Sequence, residues 1–172
     1  MSADIFSNAQ MQRLSRLSDD FEHTESSEND FFQILSEIST PEELYYVPWL
    51  LNWDDDLAGK AIEWILQSPL CDAGTGLAIY WLNQPENWIV HEESDEDGEW
   101  ERRGLAIHRA IENRMKTLDF PSQIIQYDPR WDWGYWDDNG IEDEAIAAVP
   151  DFMKRSTPGK RLPDIRELPW NE

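Results

Sequence analysis

Three stretches of the chain concentrate side chains that can do chemistry. Asp54, Asp55 and Asp56 are adjacent carboxylates; they could hold a divalent cation, face a basic partner, or cap the helix that starts near Leu57, whose positive end they complement. Three carboxylates in a row on one backbone cannot all converge inward, and no glutamate follows at calcium-loop spacing, so capping is the favoured reading. The run 92–101 holds seven acidic residues in ten, with Trp100 set among Glu96, Asp97 and Glu99. Such a run is usually a solvated loop, but a tryptophan inside it gives a partner something to grip. The run 128–140 is the most unusual, with four aromatic and four acidic residues in thirteen. Alternation of Trp131, Trp133 and Tyr135 with Asp132 puts rings and carboxylates on opposite sides of an extended segment; Trp136, Asp137 and Asp138 shift that register after Gly134. Either the rings plug into the body while aspartates cap a helix, or the loop is an exposed surface suited to Arg and Lys by charge and cation–π contact. Both readings stay open from sequence.

Acid–base and nucleophilic candidates are sparse. The chain has no G-x-S-x-G, no phosphate-cradling glycine loop and no H-x-x-x-H pair. His23, His91 and His108 are far apart, and Cys71 has no cysteine or histidine nearby in sequence. His108 sits beside an apolar helical stripe and reads as a packing residue. Cys71, at an elbow between two apolar helices, reads as buried and inert. Carboxylate pairs occur throughout and so single out nothing. The expectation is a protein with no catalytic, cofactor-binding or metal-ligating residues.

The elements that must position these groups are helical. Leu57, Ala58, Ala61, Ile62, Ile65 and Leu66 recur at three- and four-residue spacing, and residues 77–82 are apolar without a break. An all-apolar helix is buried on every side, so the rest should pack around it. Pro69 separates the two helices and Asp72 can cap the second. Further helices are expected over 8–17, 29–38, 105–118 and 142–154, with one opened at Thr40-Pro41-Glu42-Glu43 by a hydroxyl cap, proline at the first position and glutamate at the third. Segments 18–28 and 83–87 read as loops, and Ile124-Ile125 is the one strand signal. The fold class predicted is all-α: a compact bundle of about six or seven helices organised on a central hairpin (57–82), with long acidic and aromatic loops. It reads as a single domain over 1–172, with 1–28 a flexible N-terminal segment and 156–172 an extended tail.

Charge is the strongest compositional feature. Fourteen basic against 36 acidic residues give −22, and residues 1–101 alone hold 3 basic and 23 acidic residues, net −20. That field repels nucleic acid and anionic membrane and attracts basic surfaces. Ten Trp, six Phe and five Tyr set the chain apart from disordered acidic proteins, which are poor in aromatics. One cysteine suits a reducing compartment, the opening residues lack the basic head and apolar run of a secretory leader, and no window approaches a membrane span. The expected location is cytoplasmic.

The run Asn52-Trp53-Asp54-Asp55, followed by a helix and then Cys71-Asp72-Ala73-Gly74-Thr75 leading into the helix with Trp81, resembles a bacterial domain of unknown function, number 4274, over about residues 40–85. The resemblance implies a small acidic protein of the kind that neutralises secreted bacterial toxins. Together with the charge it leads to an immunity protein that binds a basic partner, a toxin or effector such as a nuclease, through Trp131, Asp132, Trp133, Tyr135, Trp136, Asp137 and Asp138 or through Glu96, Asp97, Glu99 and Trp100. Two alternatives stand beside it: a nucleic-acid mimic that inhibits a DNA-binding enzyme, and a metal-dependent enzyme built on the clustered aspartates.

Overall fold

The structure, a computed structural model, describes residues 5–22, 28–89, 98–131 and 146–168. Among the described residues, seven α-helices, three short 3-10 turns and one pair of very short strands make up the regular structure. Helix α1 (Asn8–Glu22) opens with Ser7, whose hydroxyl accepts from Gln10 N–H while the Gln10 amide accepts from Ser7 N–H, a reciprocal cap. It runs five residues past its expected end at Leu17. Nothing in Ser18-Asp19-Asp20 stops a helix, and Leu14 and Leu17, both fully buried, hold it against the body. Of the segment 1–28, then, the part that forms α1 contributes to the core.

Helix α2 (Glu28–Ser36) buries Phe31, Ile34 and Leu35, and its acidic residues Glu28 and Asp30 lie in the first turn, where the helix dipole favours them. Helix α3 (Pro41–Leu50) starts as the sequence predicts, with the Thr40 hydroxyl accepting from Glu43 N–H at 3.2 Å. Helix α4 (Asp56–Gln67) is capped by Asp55, which accepts from Leu57 N–H, and buries the predicted stripe of Ala58, Ala61, Ile62 and Ile65. Helix α5 (Ala73–Leu82) is buried from Ala73 through Trp81. It lies between α3 and α7, α1 packs on α2 and α3, and α4 leans on α7. The Trp81 indole donates to Met153 O at 3.0 Å, which ties the centre to the C-terminal part.

The structure differs from the sequence expectation at three further places. Residues Pro85–Ile89 form a short helix, α6, instead of a loop, because Pro85 needs no N–H in a first turn and Trp88 buries itself there. Helix α7 (Glu99–Thr117) begins six residues early. Gly98 stands at its cap, Glu99 and Glu101 occupy the favourable first turn, and Glu99 pairs with Arg103 one turn on. The expected final helix over 142–154 is absent in its described part. Residues 147–149 are turn and bend and Asp151–Lys154 is a single 3-10 turn, since Pro150 lacks an N–H and disfavours helical geometry at Val149.

Strand β1 (Ile125–Gln126) realises the Ile124-Ile125 signal and pairs in parallel with β2 (Lys160–Arg161) from the tail, with Ile125 opposite Lys160 and Gln126 opposite Arg161. Leu162 and Leu168 of the same tail join the core.

Two buried carboxylates fix the layers. Glu43 accepts from Arg13 through both oxygens (2.7 and 3.1 Å) and from Ser39 N–H at 3.2 Å, which locks α1 onto the start of α3. Asp72 accepts from Gly74 N–H on α5, from Ser122 Oγ and Ile124 N–H ahead of β1, and from Ile125 N–H at its start. A buried charge is tolerated only with such full pairing. No described helix is long and apolar enough to cross a membrane.

Candidate functional site

The start of α4 and the start of α7 lie side by side, and this brings together residues from two of the three stretches singled out in the sequence. Asp55 and Asp56 sit at the first turn of α4; Glu99, Trp100 and Arg103 sit in the first two turns of α7. Arg103 is the hub. Its guanidinium pairs with Asp56, with Glu99 at 2.8 Å and with Glu63 at 3.5 Å. Lys60 extends the chain of charges, reaching Glu28 at 2.9 Å and Asp56 at 3.4 Å. Hydrogen bonding to Arg103 holds the Asp56 carboxyl below its usual range, and that to Glu28 raises the Lys60 ammonium.

Four carboxylates in this network face two cations, and exposed Asp54 and Asp55 stand beside it. Six negative against two positive charges leave a surplus of four. The Arg103 guanidinium therefore organises the patch without neutralising it. The carboxylates themselves are about half exposed or more, so the pairs add little to stability and remain open to a competing cation.

Tryptophans build the floor. Trp88 and Trp100 have ring centroids 5.3 Å apart at 49°. Trp88 is buried, with its indole donating to Asn83 O at 2.6 Å, and Trp53 donates to Pro48 O at 3.1 Å. Both rings are thus fixed from within. Trp100 is different: at 54 % exposure it is the most exposed large apolar side chain among the described residues. Between Trp53, Trp88 and Trp100, with Asp55, Asp56 and Arg103 at the rim, lies a small, shallow hollow open to solvent. Two glycines permit the packing. A Cβ on Gly104 would overlap the Trp88 ring, and one on Gly59 would stand 2.6 Å from Arg103 Cδ.

Of the residues expected to face a partner, Glu99 and Trp100 are at this site, on the helix α7 instead of in a loop. Trp131 is elsewhere, 39 % exposed, with the Arg161 guanidinium 4.0 Å above its ring. One face of that ring thus carries the chain's own arginine. Glu96, Asp97, Asp132, Trp133, Tyr135, Trp136, Asp137 and Asp138 lie outside the described residues. Trp53, Trp88 and Arg103 were not anticipated as parts of one site. The available signal was the abrupt sign change after Glu101 in an otherwise acidic half.

The candidates for chemistry are placed as packing groups. Cys71 is fully buried, and burial pushes its thiol up to about 12. His108 stacks on Tyr80 (4.5 Å, 26°), with its Nε2 3.4 Å from Glu112 Oε1, and the Tyr80 hydroxyl donates to the same oxygen at 3.2 Å. Burial lowers the His108 pKa to about 4, with the Arg109 charge adding to the effect. Cys71 and His108 share no hydrogen bond. Among the described residues, no three His, Cys, Asp or Glu side chains converge as metal ligands would; Asp54, Asp55 and Asp56 include one helix cap and one member of the Arg103 network.

Residues 39–116 match the model of a family described as a domain of unknown function, DUF4274, and this stretch belongs to that family. It runs from the cap of α3 to the last turn of α7 and contains every residue of the hollow. No curated protein and no solved structure matches the chain.

Proposed function

We propose that the chain is a binding protein that captures a basic protein partner on the face formed by the starts of α4 and α7, and that the partner is a toxin which the chain neutralises. The observation that carries this reading is the exposed Trp100 ring on a tryptophan floor, ringed by carboxylates that outnumber the local cations. A net charge of −22 steers a cationic surface toward the protein, and the carboxylate rim gives it register. An exposed tryptophan beside a hollow is the kind of residue that dominates interface energies, and its face also attracts Arg or Lys. Toxins that act on nucleic acid are basic for their own substrate, which makes a nuclease the target class best matched to this face.

A nucleic-acid mimic would share the charge but needs carboxylates at regular spacing. The interleaving of Lys60 and Arg103 among Asp56, Glu63 and Glu99 breaks such a row, which favours the single cognate partner.

The test uses the full chain as bait in lysate of its source cells at low salt, with Trp100→Ala and the double variant Asp54→Asn/Asp55→Asn alongside. The reading requires a basic protein that the parent retains, that Trp100→Ala loses, and whose toxicity on expression is relieved by the parent chain. Retention of such a protein equally by parent and Trp100→Ala would move the contact away from this face. Recovery of no basic protein at all would end the proposal.

A further inference from the structure

The second opening of note combines aromatic walls with arginines. Tyr45, Tyr46 and Trp49 of α3 form a wall of an open cleft, bounded on the other side by Trp131 and the run 161–166. The Tyr46 hydroxyl donates to Pro163 O at 2.8 Å, which fixes wall to wall. Burial raises the Tyr46 phenol well above its usual value, so it stays a neutral donor.

Arg161 commands the cleft. Pairing of β2 with β1 fixes its backbone opposite Gln126, and its guanidinium lies 4.0 Å above the Trp131 ring. The neighbouring charges cancel in pairs: Arg130 with Asp128 at 2.5 Å, and Arg166 with Asp164 at 2.5 Å. Arg161 makes no ion pair among the described residues. A guanidinium set over an indole face makes no hydrogen bond to the ring, so its N–H donors can match two oxygens of a carboxylate or phosphate. Asp128 and Asp164 lie near enough to feel the Arg161 charge, but each carboxylate is bonded to its own arginine, and the group Arg161 rests on is the Trp131 ring.

We propose that this cleft binds a planar aromatic anion: a flat ring that stacks among Tyr45, Trp49 and Trp131 and carries a carboxylate or phosphate onto Arg161. The ring is required as well as the charge. The field of the whole chain opposes any anion, so stacking must supply a large share of the affinity, and a bare inorganic anion lacks it. A cationic side chain would meet Arg161 first, so the basic partner proposed above does not fit here. Trp131 and Arg161 lie outside the stretch 39–116 while Tyr45, Tyr46 and Trp49 lie within it, so the cleft joins the C-terminal part of the chain to α3, and it shares no lining residue with the other face.

Calorimetric titration of the full chain at low salt tests this with four probes: indole-3-acetate, adenosine monophosphate, inorganic phosphate and tryptamine. The expected result is saturable binding of indole-3-acetate or the nucleotide tighter than about 1 mM, and whichever binds better identifies the carboxylate or the phosphate as the anion. Arg161→Gln should weaken that binding about tenfold or more while circular dichroism stays that of the parent. Should Arg161→Gln disturb the fold, Trp131→Leu, which removes the platform under the guanidinium, must show the same loss. Phosphate binding as tightly as the nucleotide, or tryptamine as tightly as indole-3-acetate, would overturn the proposal. So would the absence of saturable binding of either aromatic anion, or unchanged affinity in Arg161→Gln.

Discussion

The Ser122 hydroxyl donates to Asp72 Oδ2 at 2.6 Å, across 50 residues of sequence, and so the carboxylate that caps the central helix also seats the segment that follows α7. Its Oδ1 meanwhile serves Gly74 N–H and Ile125 N–H, and Ile124 N–H shares Oδ2. Asp72→Ala would leave three backbone donors without the fully buried carboxylate that accepts from them, and should cost about 3 kcal/mol. Ser122→Ala removes one bond only and should cost about 1 kcal/mol. Midpoints of urea unfolding give the order directly; a smaller effect for Asp72→Ala than for Ser122→Ala would mean that the carboxylate is not the clamp.

Asp72 also shows what sequence could and could not reveal. A cap before Ala73-Gly74-Thr75 is a local signal, and it was legible. The second use of the same carboxylate was not, because nothing local ties it to Ser122. The same division holds at the candidate face. Asp55 reads as a cap from its own neighbourhood, and the spacing of Ala58, Ala61, Ile62 and Ile65 gives the buried stripe of α4. Glu99 and Trp100, by contrast, read as loop from their acidic company. What makes them helical is Arg103 one turn on and the dipole of α7, and neither outweighs composition in a residue-by-residue reading. Arg13 was legible only in hindsight of the fold: one of three basic residues in the first 101, it is the one that neutralises buried Glu43.

Acid should destabilise the protein through His108. Its folded pKa, about 4, lies below the ordinary value of 6.5 because burial disfavours the charged ring, so protons bind the unfolded chain more tightly. This group's contribution is therefore fully present above pH 6.5, shrinks as pH falls toward 4 and is lost below that. The difference corresponds to about 3 kcal/mol at most. His108→Gln should flatten the loss of stability between pH 6.5 and 4, read from unfolding midpoints across that window. A parent-like slope in the variant would place the acid sensitivity in other groups.

The geometry of the tryptophan floor can be tested through Gly104. Alanine is the better helix former by up to about 1 kcal/mol, so in an open position Gly104→Ala would stabilise α7. Here the added Cβ would overlap the Trp88 ring, which cannot retreat easily: its indole is bonded to Asn83 O at 2.6 Å and Trp100 lies 5.3 Å away. Overpacking of this kind costs about 1–3 kcal/mol, so the net effect should be destabilising, and the ring should be driven toward the hollow. Gly59→Ala is the control. Its Cβ would meet Arg103 Cδ, part of a flexible side chain whose partners are exposed carboxylates, and the arginine can give way at little cost. Melting temperatures should therefore fall for Gly104→Ala and stay near the parent for Gly59→Ala, while the indole N–H resonances of Trp88 and Trp100 shift only in the former. Equal melting of the two variants, with those resonances unmoved, would show that Gly104 does not hold Trp88 in the place that opens the hollow beneath Trp100.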